Sequence, residues 1–249
     1  MKTRIHQTTH DERALPAGRR IVLEFHAGSD AIPGILLLPR NPVPAPGVVL
    51  LHGYSSRKEH LSDGFGAALQ RQAIASLSID LPLHGTRADP LQAQATRNPL
   101  ALMGIWRQAL REARLALGYL GARPEIDRAC LAVAGYSLGS FLAVMTAASE
   151  PSVRAVVLAA GGDLPAGTPL SKVARAVADP LRAIRRLRGR PLLMVNGTAD
   201  RTVLPEQAQR LFDAASEPKE LKWWNAGHVL PPAAIDYSAQ WLRERLGRG

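Results

Sequence analysis

The stretch LAVAGYSLG, residues 131–139, decides which fold this chain adopts. Its first four residues are apolar and predict a short buried strand, and the run Leu138–Ser149 predicts a helix. Between them lies the pattern G-x-S-x-G, whose tight turn projects the serine from the end of a sheet. This strand-turn-helix context indicates that Ser137 is a catalytic nucleophile; a serine in an ordinary helix-capping turn is the alternative.

Other short apolar runs surround this motif and are typical of strands buried on both faces of a parallel sheet. They are Gly47–Leu51, Ala73–Ile79, Cys130–Ala134, Val153–Ala160 and Pro191–Val195. Upstream, the β-rich runs Ile21–His26 and Ile32–Leu38 flank Gly28-Ser29-Asp30 and predict an antiparallel hairpin. The prolines at positions 39, 42, 44 and 46 predict an irregular connector, since proline is excluded from central strands.

Helical patterns alternate with these strands. One apolar stripe with steps of three and four residues consists of Met103, Trp106, Leu110, Ala113, Leu117 and Leu120. Glu206–Ala215 and Ala233–Leu246 also predict helices. The alternation predicts a mostly parallel, doubly wound α/β sheet with an N-terminal antiparallel hairpin. We expect one such domain over residues 1–249.

Residues 161–189 fit this alternation poorly, because glycines and prolines interrupt a segment longer than one crossover helix needs. The segment is either a connection that packs on the domain or, as we expect, a small lid over the site. Its last part carries five arginines between apolar residues and predicts an amphipathic helix with a basic face. The arginines are Arg182, Arg185, Arg186, Arg188 and Arg190. Such a charge run is usually a solvated surface.

A serine nucleophile needs a base, and the base needs a third group that orients it. Asp200 follows the predicted strand Pro191–Val195, and His228 follows the strand-like run Glu220–Trp224. Ligands of open α/β sheets bind at the carboxyl ends of the strands. We therefore expect Asp200 to orient His228 as the general base. The rivals are Asp163 and Asp179 for the acid and His84 for the base.

The developing oxyanion needs N–H donors. The Leu138 amide at the helix N-terminus is one candidate. The loop after the strand Gly47–Leu51 supplies the other, and we select the Tyr54 amide in the sequence His52-Gly-Tyr54. His52 is then an orienting residue of this loop.

These motifs resemble the α/β-hydrolase superfamily along nearly the whole chain, and the order Ser, Asp, His is the one found there. The segments His52–Glu59 and Asp80–Gly85 are similar to those of small esterases of the dienelactone-hydrolase-like and cinnamoyl-esterase-like branches. The second segment departs from the family pattern at Leu83, where glycine is common. The resemblance disfavours three activities, since dienelactone hydrolases proper use cysteine as nucleophile, and dehalogenases and many epoxide hydrolases use aspartate.

The sequence therefore predicts a carboxylesterase-type serine hydrolase that forms an acyl-enzyme from a small-molecule ester, with a short-chain or small aromatic acyl group. A thioesterase or serine peptidase would use the same residues. An inactive hydrolase-like scaffold that binds anionic partners through the basic segment is the alternative outside the enzyme class. Neither a metal-ligand cluster nor a phosphate-binding glycine loop is evident, so we expect no cofactor and no metal.

Composition bounds these expectations further. The formal net charge is +10, but no aromatic residues interleave with the clustered arginines, which disfavours nucleic-acid binding. The single cysteine, Cys130, excludes an intramolecular disulfide and is expected to be a buried core residue. There is no apolar leader at the N-terminus and no apolar run of the ~18 residues that a membrane span needs, so we expect a cytoplasmic protein.

Overall fold

The computed structural model describes residues 6–27, 30–41, 44–87, 98–165, 175 and 178–247. Nine strands form one sheet in the order β1-β2-β3-β5-β4-β6-β7-β8-β9. The strands are β1 His6–Leu15, β2 Gly18–Ala27, β3 Asp30–Pro39, β4 Ala45–Leu51, β5 Ala75–Ile79, β6 Ile126–Tyr136, β7 Val153–Ala159, β8 Leu192–Gly197 and β9 Lys219–Trp224. The pairs β1–β2, β2–β3 and β3–β5 are antiparallel, and all later pairs are parallel.

Helices cover both faces of this sheet. They are α1 Lys58–Leu61, α2 Ala67–Arg71, α3 Pro99–Gly121, α4 Leu138–Ser149, α5 Pro180–Arg185, α6 Pro205–Asp213 and α7 Pro232–Leu246. A π-helical turn, Ser62–Gly66, joins α1 to α2, and Gly85–Arg87 form a 3₁₀ turn. Among the described helices, none is both long and apolar enough to span a lipid bilayer.

The apolar core has two layers, one on each face of the sheet. The layer under α3, α4, α5 and α6 includes Val49, Val133, Leu142 and Ile184, and that under α1, α2 and α7 includes Leu50, Phe65 and Leu242. The central strands alternate their side chains between the two layers, which is why β4 is buried at every position. The predicted fold class, a mostly parallel α/β sheet with an antiparallel N-terminal part, is confirmed.

The strand order locates the crevice of this fold. In the sheet, β5 lies next to β4 on one side, and β6, which comes later in the chain, lies next to β4 on the other side. The loops after β4 and β6 therefore diverge to opposite faces and leave a crevice at the carboxyl edge of the sheet. The predicted nucleophile follows β6, and the predicted oxyanion loop follows β4.

Several local expectations need correction. The sequence patterns did not indicate β1, because its residues are almost all exposed and polar; pairing with β2 holds it in place. Pro46 lies inside β4, at a register shift relative to β6, where the irregular ladder accommodates a residue without an N–H. Cys130 is half-buried rather than core, since β6 begins at Ile126 and its first half extends beyond the packed layers.

The predicted lid lies partly outside the described residues, which omit 166–174 and 176–177. The part that is described packs on the domain: Ala183, Ile184 and Leu187 are buried in the core layer beside α4. The predicted basic helix ends at Arg185, and the arginines at 182, 185, 186 and 188 are exposed. The predicted hairpin of β2 and β3 is present, although its turn residues Gly28 and Ser29 are also outside the described residues.

Candidate active site

Ser137 lies at a strained turn between β6 and α4. Its backbone has φ 52° and ψ −115°, a conformation that side-chain-bearing residues rarely adopt. The turn is possible because of the two glycines of the motif. A Cβ on Gly135 would lie 2.0 Å from the carbonyl oxygen of Gly139, and one on Gly139 would lie 1.9 Å from that of Leu51. This turn, residues 135–139 (the elbow), thus packs directly against the carboxyl end of β4.

Ser137, His228 and Asp200 form one hydrogen-bonded chain. The Ser137 Oγ is 2.9 Å from His228 Nε2, and His228 Nδ1 is 2.8 Å from Asp200 Oδ2. An ionised carboxylate only accepts, so Nδ1 carries the proton and Nε2 is free to accept from the serine hydroxyl. The Asp200 Oδ1 accepts from the amides of Thr202 and Val203, 2.8 and 3.0 Å away. The structure brings these three predicted residues together in the order that general-base activation of a serine requires.

The rival residues have other partners. Asp163 accepts from Arg175 at 2.7 Å, and Asp179 caps α5 through the amide of Leu181. His84 is hydrogen-bonded through Nδ1 to the carbonyl oxygen of Pro82 at 2.8 Å. None of the three has a hydrogen bond to Ser137, Asp200 or His228 within the described part of the chain.

The loop after β4 lies beside the serine. A Cβ on Gly53 would be 3.3 Å from that of Ser137, so glycine lets the backbone of this loop reach the nucleophile. The amides of Tyr54 and Leu138 have no hydrogen-bond acceptor among the described residues. Two unpaired N–H groups near one serine are the donors that an oxyanion would need.

His52 holds the peptide that carries one of these amides. Its Nδ1 hydrogen-bonds the Gly53 carbonyl oxygen at 2.8 Å, and its Nε2 accepts from the Leu81 amide at 3.1 Å. In a trans peptide the C=O and N–H groups point in opposite directions. A bond from His52 to the Gly53 carbonyl therefore directs the Tyr54 N–H away from His52. The imidazole is fully buried, and burial lowers its pKa to about 4, so the ring is neutral at pH 7.

A buried ion pair supports this loop from behind. The side chains of Lys58 and Asp80 are 3% and 0% exposed, and Lys58 Nζ lies 2.8 Å from Asp80 Oδ2. The carboxylate also accepts from the amides of Lys58 and Thr86. Burial alone would raise the pKa of Asp80, but these hydrogen bonds outweigh it and lower the pKa below its usual value. Gly85, at φ 57°, lies against the carboxylate, where a Cβ would be 2.1 Å from Oδ1.

A second ion pair holds the segment Asp80–Arg87, which follows β5, against α3. Arg87 makes a bidentate ion pair with Glu112, which is fully buried, and Arg87 Nη1 also bonds the Asp80 carbonyl oxygen at 3.1 Å. Sequence reasoning missed Lys58, Arg87 and Glu112. The segment Asp80–Gly85 was noticed through the family resemblance, but nothing in the chain indicates that its carboxylate pairs with a lysine 22 positions upstream.

The comparisons place this geometry in a family. A model of the alpha/beta hydrolase family matches residues 48–242, which include Ser137, Asp200 and His228. The chain belongs to this family. The predicted resemblance to the α/β-hydrolase superfamily is thereby confirmed.

Individual relatives of this α/β hydrolase are distant. The polyketide transferase ATR5 of Stachybotrys chlorohalonatus is 24% identical over 204 residues, which are 80% of this chain and 64% of that protein. The chain thus spans just under two thirds of the length of that relative. An acetyl xylan esterase from Paenibacillus sp. R4 superposes with a TM-score of 0.80 at 17% identity, over 99% of this chain and 90% of that one. Acetyl xylan esterase 1 from Thermoanaerobacterium sp. JW/SL YS485 superposes with a TM-score of 0.76 at 17% identity, over 98% of this chain and 88% of that one.

The site offers no evident metal centre. Among the described residues, no group of three or more His, Cys, Asp or Glu side chains is arranged to hold a metal ion. Two side chains beside the site are largely exposed: Val229, next to His228, is 83% exposed, and Tyr54, next to Gly53, is 75% exposed.

Proposed function

We propose that this α/β hydrolase is a serine carboxylic ester hydrolase, with Ser137 as nucleophile, His228 as general base and Asp200 as the group that orients the base. The observation that carries the proposal is the continuous chain of 2.8 and 2.9 Å contacts from Asp200 through His228 to the Ser137 Oγ. It lies at the crevice of the sheet, where ligands of this fold class bind.

The first half-reaction transfers the acyl group to the enzyme. His228 Nε2 accepts the hydroxyl proton of Ser137 while Oγ bonds to the ester carbonyl carbon. The imidazolium that forms is stabilised by the buried Asp200 carboxylate. Nε2 then donates this proton to the leaving alkoxide as the C–O bond breaks. The second half repeats the sequence with water, which His228 deprotonates for attack on the acyl-enzyme.

The charge that develops on the carbonyl oxygen is bound by the amides of Tyr54 and Leu138. The Leu138 amide is the first of α4, so the positive end of the helix dipole adds to its effect. His52 donates to the Gly53 carbonyl, which keeps the Tyr54 N–H pointed at the oxyanion. Removing one such donor from a serine hydrolase costs about 10²–10³ in kcat.

The substrate proposed is a small ester with a short-chain or small aromatic acyl group. Two supports are the exposed side chains of Tyr54 and Val229 beside the site and the fold shared with proteins named acetyl xylan esterases. The His228 side chain is 26% exposed, so water reaches the position from which it attacks the acyl-enzyme. This favours hydrolysis over transfer to another acceptor, the reaction that the name of the relative ATR5 indicates for that protein.

The test is p-nitrophenyl ester hydrolysis across acyl lengths, together with fluorophosphonate labelling, for the wild type and Ser137→Ala. We expect turnover on short esters, and both turnover and labelling to be lost in the variant, with kcat reduced about 10⁴-fold or more. A folded wild type that neither turns over nor labels would refute the serine-hydrolase proposal. Higher kcat/KM on C12–C16 esters than on short ones would refute the proposed acyl preference alone.

A further inference from the structure

The side chain of Tyr136 connects the nucleophile's strand to the loop that carries His228. Tyr136 is the last residue of β6 and directly precedes Ser137. Its phenol donates to the His228 carbonyl oxygen at 2.7 Å and accepts from the Leu230 amide at 2.8 Å. One hydroxyl thus uses both its donor and an acceptor position on the backbone of the same loop.

This loop has few other attachments. Residues 227 and 229 are exposed, and only Leu230 inserts an apolar side chain into the core layer beneath α7. Within the described part of the chain, the amides of His228, Val229 and Leu230 make no backbone–backbone hydrogen bond. Upstream of these residues, the Ala226 carbonyl oxygen accepts from the Ala199 amide at 2.9 Å. From His228 to Leu230, the two bonds to the Tyr136 phenol are therefore the polar restraint on the backbone among the described residues.

The aromatic ring adds a second contact. The Tyr136 ring meets the His228 imidazole edge-to-face, with ring centroids 6.1 Å apart and an interplanar angle of 77°. Tyr136 is itself half-buried and packs against the core layer that includes Leu230. This packing fixes the position of the Tyr136 side chain, which in turn aligns the loop that carries His228, residues 225–231 (the histidine loop).

We propose that Tyr136 is a positioning residue for His228, and this inference rests on the proposed function. Its phenol keeps Nε2 in line with the Ser137 Oγ through the two proton transfers of each half-reaction. Because the tyrosine is covalently adjacent to the serine, any shift of the elbow is transmitted to the histidine loop. The distance between nucleophile and base therefore stays constant. Misplacement of a reacting group by about 1 Å costs on the order of 10²-fold in rate.

The experiment compares Tyr136→Phe with Tyr237→Phe as a matched control. Phenylalanine keeps the ring at position 136 and removes only the two hydrogen bonds. Tyr237, on α7, is also partly buried and also uses its phenol for one bond, to Glu220, away from the site. For Tyr136→Phe we expect kcat and the fluorophosphonate labelling rate to fall about tenfold, with KM changed less than twofold. For Tyr237→Phe we expect both parameters to stay within twofold of the wild type.

A readout independent of activity is hydrogen exchange at the Leu230 amide, which should quicken in Tyr136→Phe and remain unchanged in Tyr237→Phe. If Tyr136→Phe keeps kcat within twofold of an active wild type, the inference is overturned while the proposed function stands. The same holds if a smaller fraction of the protein labels but the labelling rate is unchanged, since the loss would then be one of folding. A wild type that neither turns over nor labels overturns both, and faster Leu230 exchange would then identify a purely structural tether.

Discussion

Two loops meet at Ser137, and they are held in contrasting ways. The glycine loop, residues 52–57 after β4, is backed by the buried Lys58–Asp80 ion pair and the neutral, fully buried His52. The histidine loop, residues 225–231 after β9, is partly exposed, and its backbone from His228 to Leu230 is restrained by neutral hydrogen bonds to the Tyr136 phenol. The glycine loop, one wall of the site, is thus supported by buried charged and polar side chains. The histidine loop, the other wall, lies at the surface and is held by hydrogen bonds.

This contrast predicts that substitutions behind the glycine loop mainly lower the stability of the fold, whereas substitutions of the acid and the base mainly lower the catalytic rate. Removing the Asp80 carboxylate behind the glycine loop leaves the buried Lys58 ammonium with only the partly exposed Glu59 carboxylate, so the main cost falls on folding. Asp200, on the loop after β8, and His228 contribute little buried apolar area, so changing them should alter the chemistry and leave the fold almost as stable. Substitutions on each side of the site test this division.

The largest expected effect is on rate. Asp200→Asn should lower kcat by about 10⁴-fold, because an amide neither fixes the Nδ1–H tautomer of His228 nor stabilises the imidazolium. The asparagine oxygen can still accept from the amides of Thr202 and Val203, so the melting temperature should change little. Steady-state kinetics and thermal melting check this. A variant that keeps more than a tenth of the wild-type kcat would show that Asp200 is not the orienting acid.

The next effect is on stability. Asp80→Asn should lower the free energy of unfolding by about 3 kcal/mol, the lower end of the cost of breaking a buried pair, because the buried Lys58 ammonium keeps only the Glu59 carboxylate, 3.0 Å away and partly exposed. Adding Lys58→Met should recover part of this loss. The control is Asp236→Asn, which breaks the pair with Arg71, whose side chains are 59% and 58% exposed; exposed pairs contribute about 0–1 kcal/mol. Urea denaturation of the wild type and these three variants compares the losses, and equal losses at Asp80 and Asp236 would contradict the larger cost expected for the buried pair.

The third effect depends on pH. The pKa of His52 is lowered to about 4 by burial, against about 6.5 in an unfolded chain. Between these pH values the unfolded chain binds a proton that the folded one does not. The free energy of unfolding should therefore rise with pH from about 4 to 6.5, by about 3 kcal/mol from this residue, and then level off. His52→Gln should flatten that slope in urea denaturations at pH 4.5, 5.5 and 7.5. Parallel slopes in the two proteins would assign the pH dependence to other groups.

The sequence indicated the histidine side of the site better than the glycine side. Ser137 and Asp200 each follow a strand that an apolar run reveals, and His228 follows the strand-like run Glu220–Trp224, so their meeting at one edge of the sheet could be predicted. Lys58 could not be, because a lysine is ordinarily exposed and its burial depends on a carboxylate that only the folded chain brings near. Tyr136 carried no signal either, since its partners are backbone atoms 92 and 94 residues away. The edge strand β1 was missed for a related reason: it is stabilised by backbone pairing, and its side chains have no hydrophobic pattern.

The strained backbone of Ser137 sets a trade-off for anyone who evolves this protein. A residue other than glycine at φ 52°, ψ −115° costs on the order of 1–3 kcal/mol, which glycine would largely avoid. The change that removes the proposed nucleophile is therefore also one that relaxes the fold. Selection for heat resistance alone would be drawn toward Ser137→Gly, and a library screened without an activity assay would enrich an inert enzyme. Thermostabilised variants of this hydrolase should be sought under selection for turnover.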